Sequence, residues 1–487
     1  MRALICCVAA IALAPAIAVA RPDSPNSPDL FKYAQGDKVE SFPSGGGNFR
    51  VHFTRAGASA VPLDDANKNN VPDHVEAVAQ LYEDVLAFYL KLGFRRPLDD
   101  GKVPGNNGGD ARFDVYLLDF AGKADGHFER EQCAGSTCEG FMIQENDFAG
   151  YPYPSVEVGN RILGSHEFFH AVQAAYNVDQ SSIISEGTAV WATEKFDDTL
   201  DDFEGFAGGY LDHPDRSLDK PLPGPVDVFS YGSALFFEFL DEHVGGDVIR
   251  ELWEDCVEGA RGVANPDWFT VLPALLVRHK TTFADELLTF AVWNLFTGKR
   301  ADPTQSYARG AGYPAVKMTG VQAFYRDDTL RLFTASTQYL RMAPGNRTKM
   351  TAVVNSMQDI GPLRLSISTR VGTKVGKPVP IDSLAAGPLA TVDTGNIDEV
   401  TVILVNTAQS GDSIRGTVCV GSPEEVEACR PVAPDMAMAP DLGMGMMSMG
   451  GGCAVGGGRG ERGMGIGVVL GLGWMLARRR RRNQFDR

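Results

Sequence analysis

The chain lacks several features that would decide its chemistry at once. It has eight cysteines in 487 residues and no CxxC pair, so the commonest cysteine spacing for zinc is missing. No GxSxG elbow or catalytic-cysteine context occurs, which leaves serine and cysteine hydrolases without their usual signature. At 44% hydrophobic and 22% charged, the composition excludes wholesale disorder and a polytopic membrane protein. No internal repeat is visible. Net positive charge is confined to the two ends. The formal net charge is −17, with +1 on residues 1–20 (Arg2) and +6 on residues 454–487 (eight arginines against Glu461 and Asp486), which leaves −24 on residues 21–453. Such a body disfavours nucleic acid as a partner, because binding phosphates needs a basic face.

Both ends read as sorting signals. Residues 1–20, MRALICCVAAIALAPAIAVA, combine Arg2, an apolar stretch from Ala3 to Ala14 and an Ala18-Val19-Ala20 cleavage site, the pattern of a secretory signal peptide. Residues 431–452 are Pro/Asp/Met/Gly low complexity and predict a flexible stalk. Cys453 follows, then a Gly-rich run, an apolar stretch from Met464 to Ala477 and five arginines, Arg478 to Arg482. Gly458 to Gly463 fits GxGxxG but follows no strand, so it predicts no dinucleotide site. The apolar stretch has 14 residues, where a comfortable spanning helix needs about 20. Its arginines would hold it at the cytoplasmic face. This cysteine, apolar segment and arginine cluster resemble the myxobacterial sorting tail of the MYXO-CTERM type. The resemblance implies that a sorting machinery processes the tail at Cys453, which is also the expected lipid-attachment residue. It implies an exported protein at the cell surface or outer membrane, or released from it, that meets the membrane through the tail only.

Between the ends, two patterns succeed each other. Helical spacing runs over Asp73–Leu92, Asn160–Tyr176, Glu186–Phe196, Tyr231–His243, Asp247–Cys256 and Phe283–Phe296, with strands at Phe49–Thr54 and Phe113–Leu118. After about residue 305 come turn-bounded strands at Gln338–Met342, Lys349–Asn355, Leu363–Thr369, Glu399–Asn406 and Gly416–Val420. The expected architecture is an α+β domain over 21–304 followed by an all-β sandwich over 305–430.

The most informative residues are His166-Glu167-Phe168-Phe169-His170. On a helix, positions i and i+4 share a face, so both imidazoles can bind one metal ion. Glu167 is then placed to act as general base on a metal-bound water. A third ligand is at hand in Glu186, which opens the run Glu186-Gly187-Thr188-Ala189-Val190-Trp191. A His2Glu set with an open fourth position suits catalytic zinc. Glu194 competes as third ligand from the same helical face; Glu186, expected at the start of its helix, is preferred. HEFFH followed by SEGTAVW is similar to the gluzincin metallopeptidases, although Ser185 stands where their aminopeptidases carry asparagine. A closer similarity, over about residues 40–300, is to a group of myxobacterial metalloproteases. Phe49-Arg50-Val51-His52-Phe53, the loop at 65–76, the run from Gly109 to Tyr116, HEFFHAVQ and EGTAVW carry it. The resemblance implies a zincin-like α+β catalytic domain. It also points to a downstream oxyanion donor, for which Tyr231, in a run expected to open a helix, is the candidate and His243 the alternative.

Residues 65–76 match the EF-hand ligand pattern. Asp65, Asn67, Asn69, Asp73 and Glu76 supply side-chain oxygens at positions 1, 3, 5, 9 and 12, and Val71 its carbonyl at position 7. Asn70 replaces the usual glycine and is one of the few residues that tolerates the left-handed turn. The loop predicts a structural calcium ion. Export permits disulfides. Cys133–Cys138 and Cys419–Cys429 are the natural local pairs, and Cys256 is left as a buried thiol.

Together these residues predict a surface-displayed zinc metallopeptidase acting on proteins or peptides. Zinc would be held by His166, His170 and Glu186, with Glu167 as base and Tyr231 at the oxyanion. The alternatives are a non-catalytic surface adhesin on a zincin scaffold and a zinc hydrolase of non-peptide amides.

Overall fold

A computed structural model describes residues 21–24, 27, 31–101, 103, 106–381, 389–411 and 413–430. The signal peptide, the stalk, Cys453 and the rest of the sorting tail lie outside the described residues. Among the described residues, no helix is long and apolar enough to cross a membrane. The chain is mixed α and β with several sheets, and it divides into two compact units.

The first unit comprises residues up to Tyr210 together with Asp227–Phe283. Its elements run β1 (Glu40–Pro43), β2 (Phe49–Phe53), α1 (Asp73–Lys91), β3 (Phe113–Leu118), β4 (Gly126–Ala134), β5 (Thr137–Glu145), α2 (Val156–Ala174), α3 (Ser182–Phe196), α4 (Asp202–Leu211), α5 (Val228–Gly232), α6 (Ala234–His243), α7 (Val248–Asp255) and α8 (Trp268–Arg278). The strands form one sheet in the order β1-β2-β3-β5-β4. The β2–β3 and β3–β5 pairs are parallel, and both outer pairs are antiparallel. Strand alternation gives the sheet two buried faces. On one, Phe49 and Phe113 meet Tyr82 of α1 and Phe168 of α2 in edge-on and tilted ring contacts. On the other, Tyr116, Leu118, Phe141 and Ile143 pack with Tyr33 and Phe31 from the N-terminal segment. Arg21 is buried on that side. It pairs with Asp114, with Asp100 at 2.5 Å and with Glu131 at 2.6 Å.

The helices start where local chemistry permits. Ser155 accepts a hydrogen bond from Val158 N–H, so α2 begins at Val156, ahead of the expected Asn160. Similarly, α3 begins at Ser182, because Ile183 and Ile184 are fully buried and extend its apolar surface. Glu186 therefore lies a turn inside α3 and not at its start. The predicted Tyr231–His243 helix is two helices, α5 and α6, parted at Ser233. Gly232 lies against the backbone of Gly209 and Tyr210, where a Cβ would come within 2.3 Å of Tyr210 N.

The second unit comprises Leu211–Val226 and the described residues from Ala284 on. After α9 (Phe283–Trp293) it is mainly strand: β6 (Thr319–Gly320), β7 (Tyr325–Leu332), β8 (Ser336–Met342), β9 (Lys349–Asn355), β10 (Leu363–Val371), β11 (Lys374–Val375), β12 (Val379–Ile381), β13 (Val392–Asp393), β14 (Glu399–Asn406) and β15 (Ile414–Gly421), with α10 (Pro423–Val426) at the end. One sheet runs β11-β10-β14-β8-β6 with β12 on β10, and the other β13-β9-β15-β7. Leu365, Val402 and Leu340 of the first sheet join Val354, Val418 and Leu332 of the second in one hydrophobic cluster. The two sheets thus face each other across a shared core. The unit also reaches back before residue 305. Lys317 N–H donates to Leu211 O, Thr337 N–H to Pro214 O, and the Tyr339 hydroxyl to Ala291 O. These bonds draw two segments of the expected 21–304 domain into the strand-rich unit.

Candidate metal centre

His166 and His170 stand one helical turn apart on α2, with ring centroids 5.1 Å apart. Glu186 reaches both from α3. Its Oε2 lies 3.3 Å from His166 Nε2 and 3.5 Å from His170 Nε2. One ligand atom from each of the three residues lies within 4.8 Å of the others. It is the group of histidine, cysteine and acidic side chains that can hold a metal ion among the described residues. Glu194, further along α3, does not belong to it. His243, at the end of α6, packs on the Phe239 ring instead.

Neighbouring contacts position these donors. Gly187 follows Glu186, and a Cβ there would come within 2.3 Å of Ser233 Oγ and 2.6 Å of the Phe237 ring. The missing side chain lets α3 press onto α6 beside the ligand. Ser233 Oγ donates to Ile183 O at 2.7 Å, which ties the start of α3 to the same place. His170 Nδ1 pairs with Gln173 Oε1 at 2.8 Å, and Gln173 Nε2 donates to Ser185 O and Thr188 Oγ1. Gln173 thus sets the His170 ring so that Nε2 is the free nitrogen, and it links the ligand on α2 to the helix that carries Glu186. Its place three residues after His170 was a readable signal, since i and i+3 are neighbours on a helix.

The electrostatics favour a cation. Burial pushes the Glu186 carboxyl up, but the two histidines outweigh it and hold it at about 2. Burial pushes His170 down, yet Glu186 and Glu167 outweigh it and raise it to about 9. His166 is lowered, chiefly by burial. Glu167 is raised to about 8, first by burial and then by Glu186 and Asp125; His170 and the Phe128 backbone N–H act against the rise. Its Oε1 is buried and makes no hydrogen bond among the described residues. An orphaned carboxylate oxygen beside two imidazoles and a second carboxylate fits a divalent ion with a bound water.

Tyr231 lies beside this group. Its ring stacks on His166, with centroids 6.0 Å apart, and on Phe206 of α4, 5.2 Å apart. It sits near the end of the short helix α5 and does not open a longer helix. Burial, with Glu186 and Glu167 near, pushes its hydroxyl well above the usual tyrosine range.

The loop at 65–76 is held by hydrogen bonds among its own polar groups. Asp65 accepts from Asn69 N–H at 3.1 Å and Asn70 N–H at 2.9 Å, and Asn69 Oδ1 accepts from Val71 N–H at 2.8 Å. Asp73 accepts from Ala66 N–H at 3.0 Å. Glu76, in the first turn of α1, accepts from the Asn67 and Asn69 side chains at 2.8 and 2.7 Å. Asn70 has φ of 66°, the left-handed conformation that asparagine tolerates. The carboxylates of Asp65, Asp73 and Glu76 do not close as tightly as the His166 group. The Cys133–Cys138 and Cys419–Cys429 disulfides are formed, and Cys256 is a buried free thiol.

Compared with known proteins, the chain matches no family model and no curated sequence.

Proposed function

We propose that the chain is a zinc metallopeptidase of zincin-like build, exported and displayed at the cell surface, with a structural calcium ion in the 65–76 loop. One observation carries the reading: two imidazole nitrogens and a carboxylate oxygen converge within 4.8 Å, next to a glutamate whose Oε1 is buried and has no hydrogen bond among the described residues. His166, His170 and Glu186 would hold the zinc. Zinc held by such a set supplies a polarised water whose pKa falls towards about 7. The protein's own groups do the rest. The charge of the bound ion would bring Glu167 down again from about 8, so that its Oε1, buried and without a hydrogen bond, would take the proton of the attacking water and return it to the leaving amine. Tyr231 stays a phenol under its raised pKa, so it can donate to the developing oxyanion. β4 is the last strand of its sheet, so an extended peptide would add beside it as a further strand, near the Phe128 N–H that bonds Glu167.

The test is a peptide-library digest by the zinc-loaded full chain beside its Glu167→Gln variant, with non-peptide amides as a second substrate set. Peptide cleavage should fall by several orders of magnitude in the variant while zinc stays bound. Equal cleavage by both would overturn the mechanism, and cleavage of non-peptide amides alone would overturn the substrate class.

A further inference from the structure

We propose that Asp202 and Asp125 form a subsite beside the metal centre for a cationic group of the substrate, an ammonium or a guanidinium. The proposal rests on the metallopeptidase reading and adds a substrate class to it.

Asp202 begins α4 and is 6% exposed. Its Oδ2 is buried and has no hydrogen-bond partner among the described residues. The charges that act on it are Asp125 and Glu204, both acidic. A buried carboxylate held among like charges costs stability unless something compensates it. Its position ties it to the site. Phe206 lies four residues on, on the same face of α4, and its ring stacks on Tyr231, which stacks on His166. Asp125 is the second carboxylate. It immediately precedes the edge strand β4, is 2% exposed, and accepts the Tyr153 hydroxyl at 2.5 Å. Its charge acts on Asp202, Glu167 and Tyr231 alike. A peptide added along β4 would pass Asp125, and the proposal is that one of its groups meets both carboxylates there.

The chemistry narrows what that group is. Among the described residues, Asp125, Asp202 and Glu204 do not converge as closely as a shared metal ion requires. An organic cation is larger, spreads its donors, and can give Asp202 the hydrogen bond it lacks. Two sources offer the same chemistry: the free N-terminus of a peptide and a lysine or arginine side chain.

Calorimetric titration of the zinc-loaded full chain distinguishes them with four probes. Lysinamide carries both ammonium groups, Nα-acetyl-lysinamide only the side chain, norleucinamide only the α-amine, and Nα-acetyl-norleucinamide neither. We expect at least one of the two single-cation probes to bind about tenfold or more tightly than the neutral one, as a charge-assisted bond allows. The stronger of the two names the source. Asp202→Asn should abolish that preference and, without ligand, melt at a higher temperature than the wild type. Equal binding of all four probes, an unchanged preference in Asp202→Asn, or a lower melting temperature in that variant would each overturn the proposal. A cation preference in a chain that hydrolyses no peptide would support the subsite and overturn the metallopeptidase reading instead.

Discussion

Gln173 illustrates how much of this centre rests on a residue that touches no metal. Its Oε1 holds His170 Nδ1, and its amide nitrogen reaches Ser185 O and Thr188 Oγ1 near Glu186. Removing such a partner typically weakens metal affinity by about 10- to 100-fold. Gln173→Ala should show a loss of this size in competition with a zinc chelator, with the fold kept; unchanged affinity would mean that the His170 ring is held by packing. Asp202 gives a pH prediction. Burial, then Asp125 and Glu204, raise it to about 7, against about 3.9 in an unfolded chain. The folded form thus binds this proton more tightly than the unfolded chain does. The stabilisation is complete below about 4 and is lost as pH rises through about 7. The melting temperature of Asp202→Asn minus that of the wild type should grow across this window and then level off. A difference that stays flat from pH 4 to 8 would rule the account out. The residues of the site also differ in legibility. His166, Glu167 and His170 are readable because one helix fixes their spacing, and Glu186 because it lies on the next helix. Asp125 and Asp202 are not, because their meeting depends on where β4 and α4 come to rest.

At the level of elements, the long helices were legible and the edge of the sheet was not. α1 and α2 bury continuous apolar faces. β4 is largely half-buried or exposed and polar, so it shows no clean alternation. The Cys133–Cys138 pair marked the hairpin between β4 and β5 without revealing its strands. α4 was hidden by its glycines, Gly205, Gly208 and Gly209. The spacing of the polar residues in the 65–76 loop is legible in the sequence because ligand geometry would dictate it, and a calcium ion there is part of the proposal. Calcium added to chelator-stripped protein should raise the melting temperature, with a stabilisation of about 2.7 kcal/mol at a hundred times Kd. Glu76→Gln, which removes the charge of the position-12 ligand, should cut that gain sharply. Full thermal recovery with zinc alone would count against the loop as a calcium site.

On the scale of the whole molecule, the chain divides into an α+β unit and a strand-rich unit. The His166, His170 and Glu186 group lies in the first unit and the all-strand core in the second. The sequence placed their border by the change from helical to strand spacing. The compact units divide earlier, because residues 211–226 and the segment from Ala284 hydrogen-bond to or beside the sandwich strands. Such long-range pairing leaves no periodic trace. The acidity of the body now has local sites, at the loop, at the metal group and around Asp202. The most direct test of the central claim is zinc stoichiometry in the full chain and two variants. The account predicts one zinc per chain in the wild type and in Glu194→Ala, and none retained in Glu186→Ala after dialysis. Zinc kept by Glu186→Ala, or absent from the wild type, would contradict it.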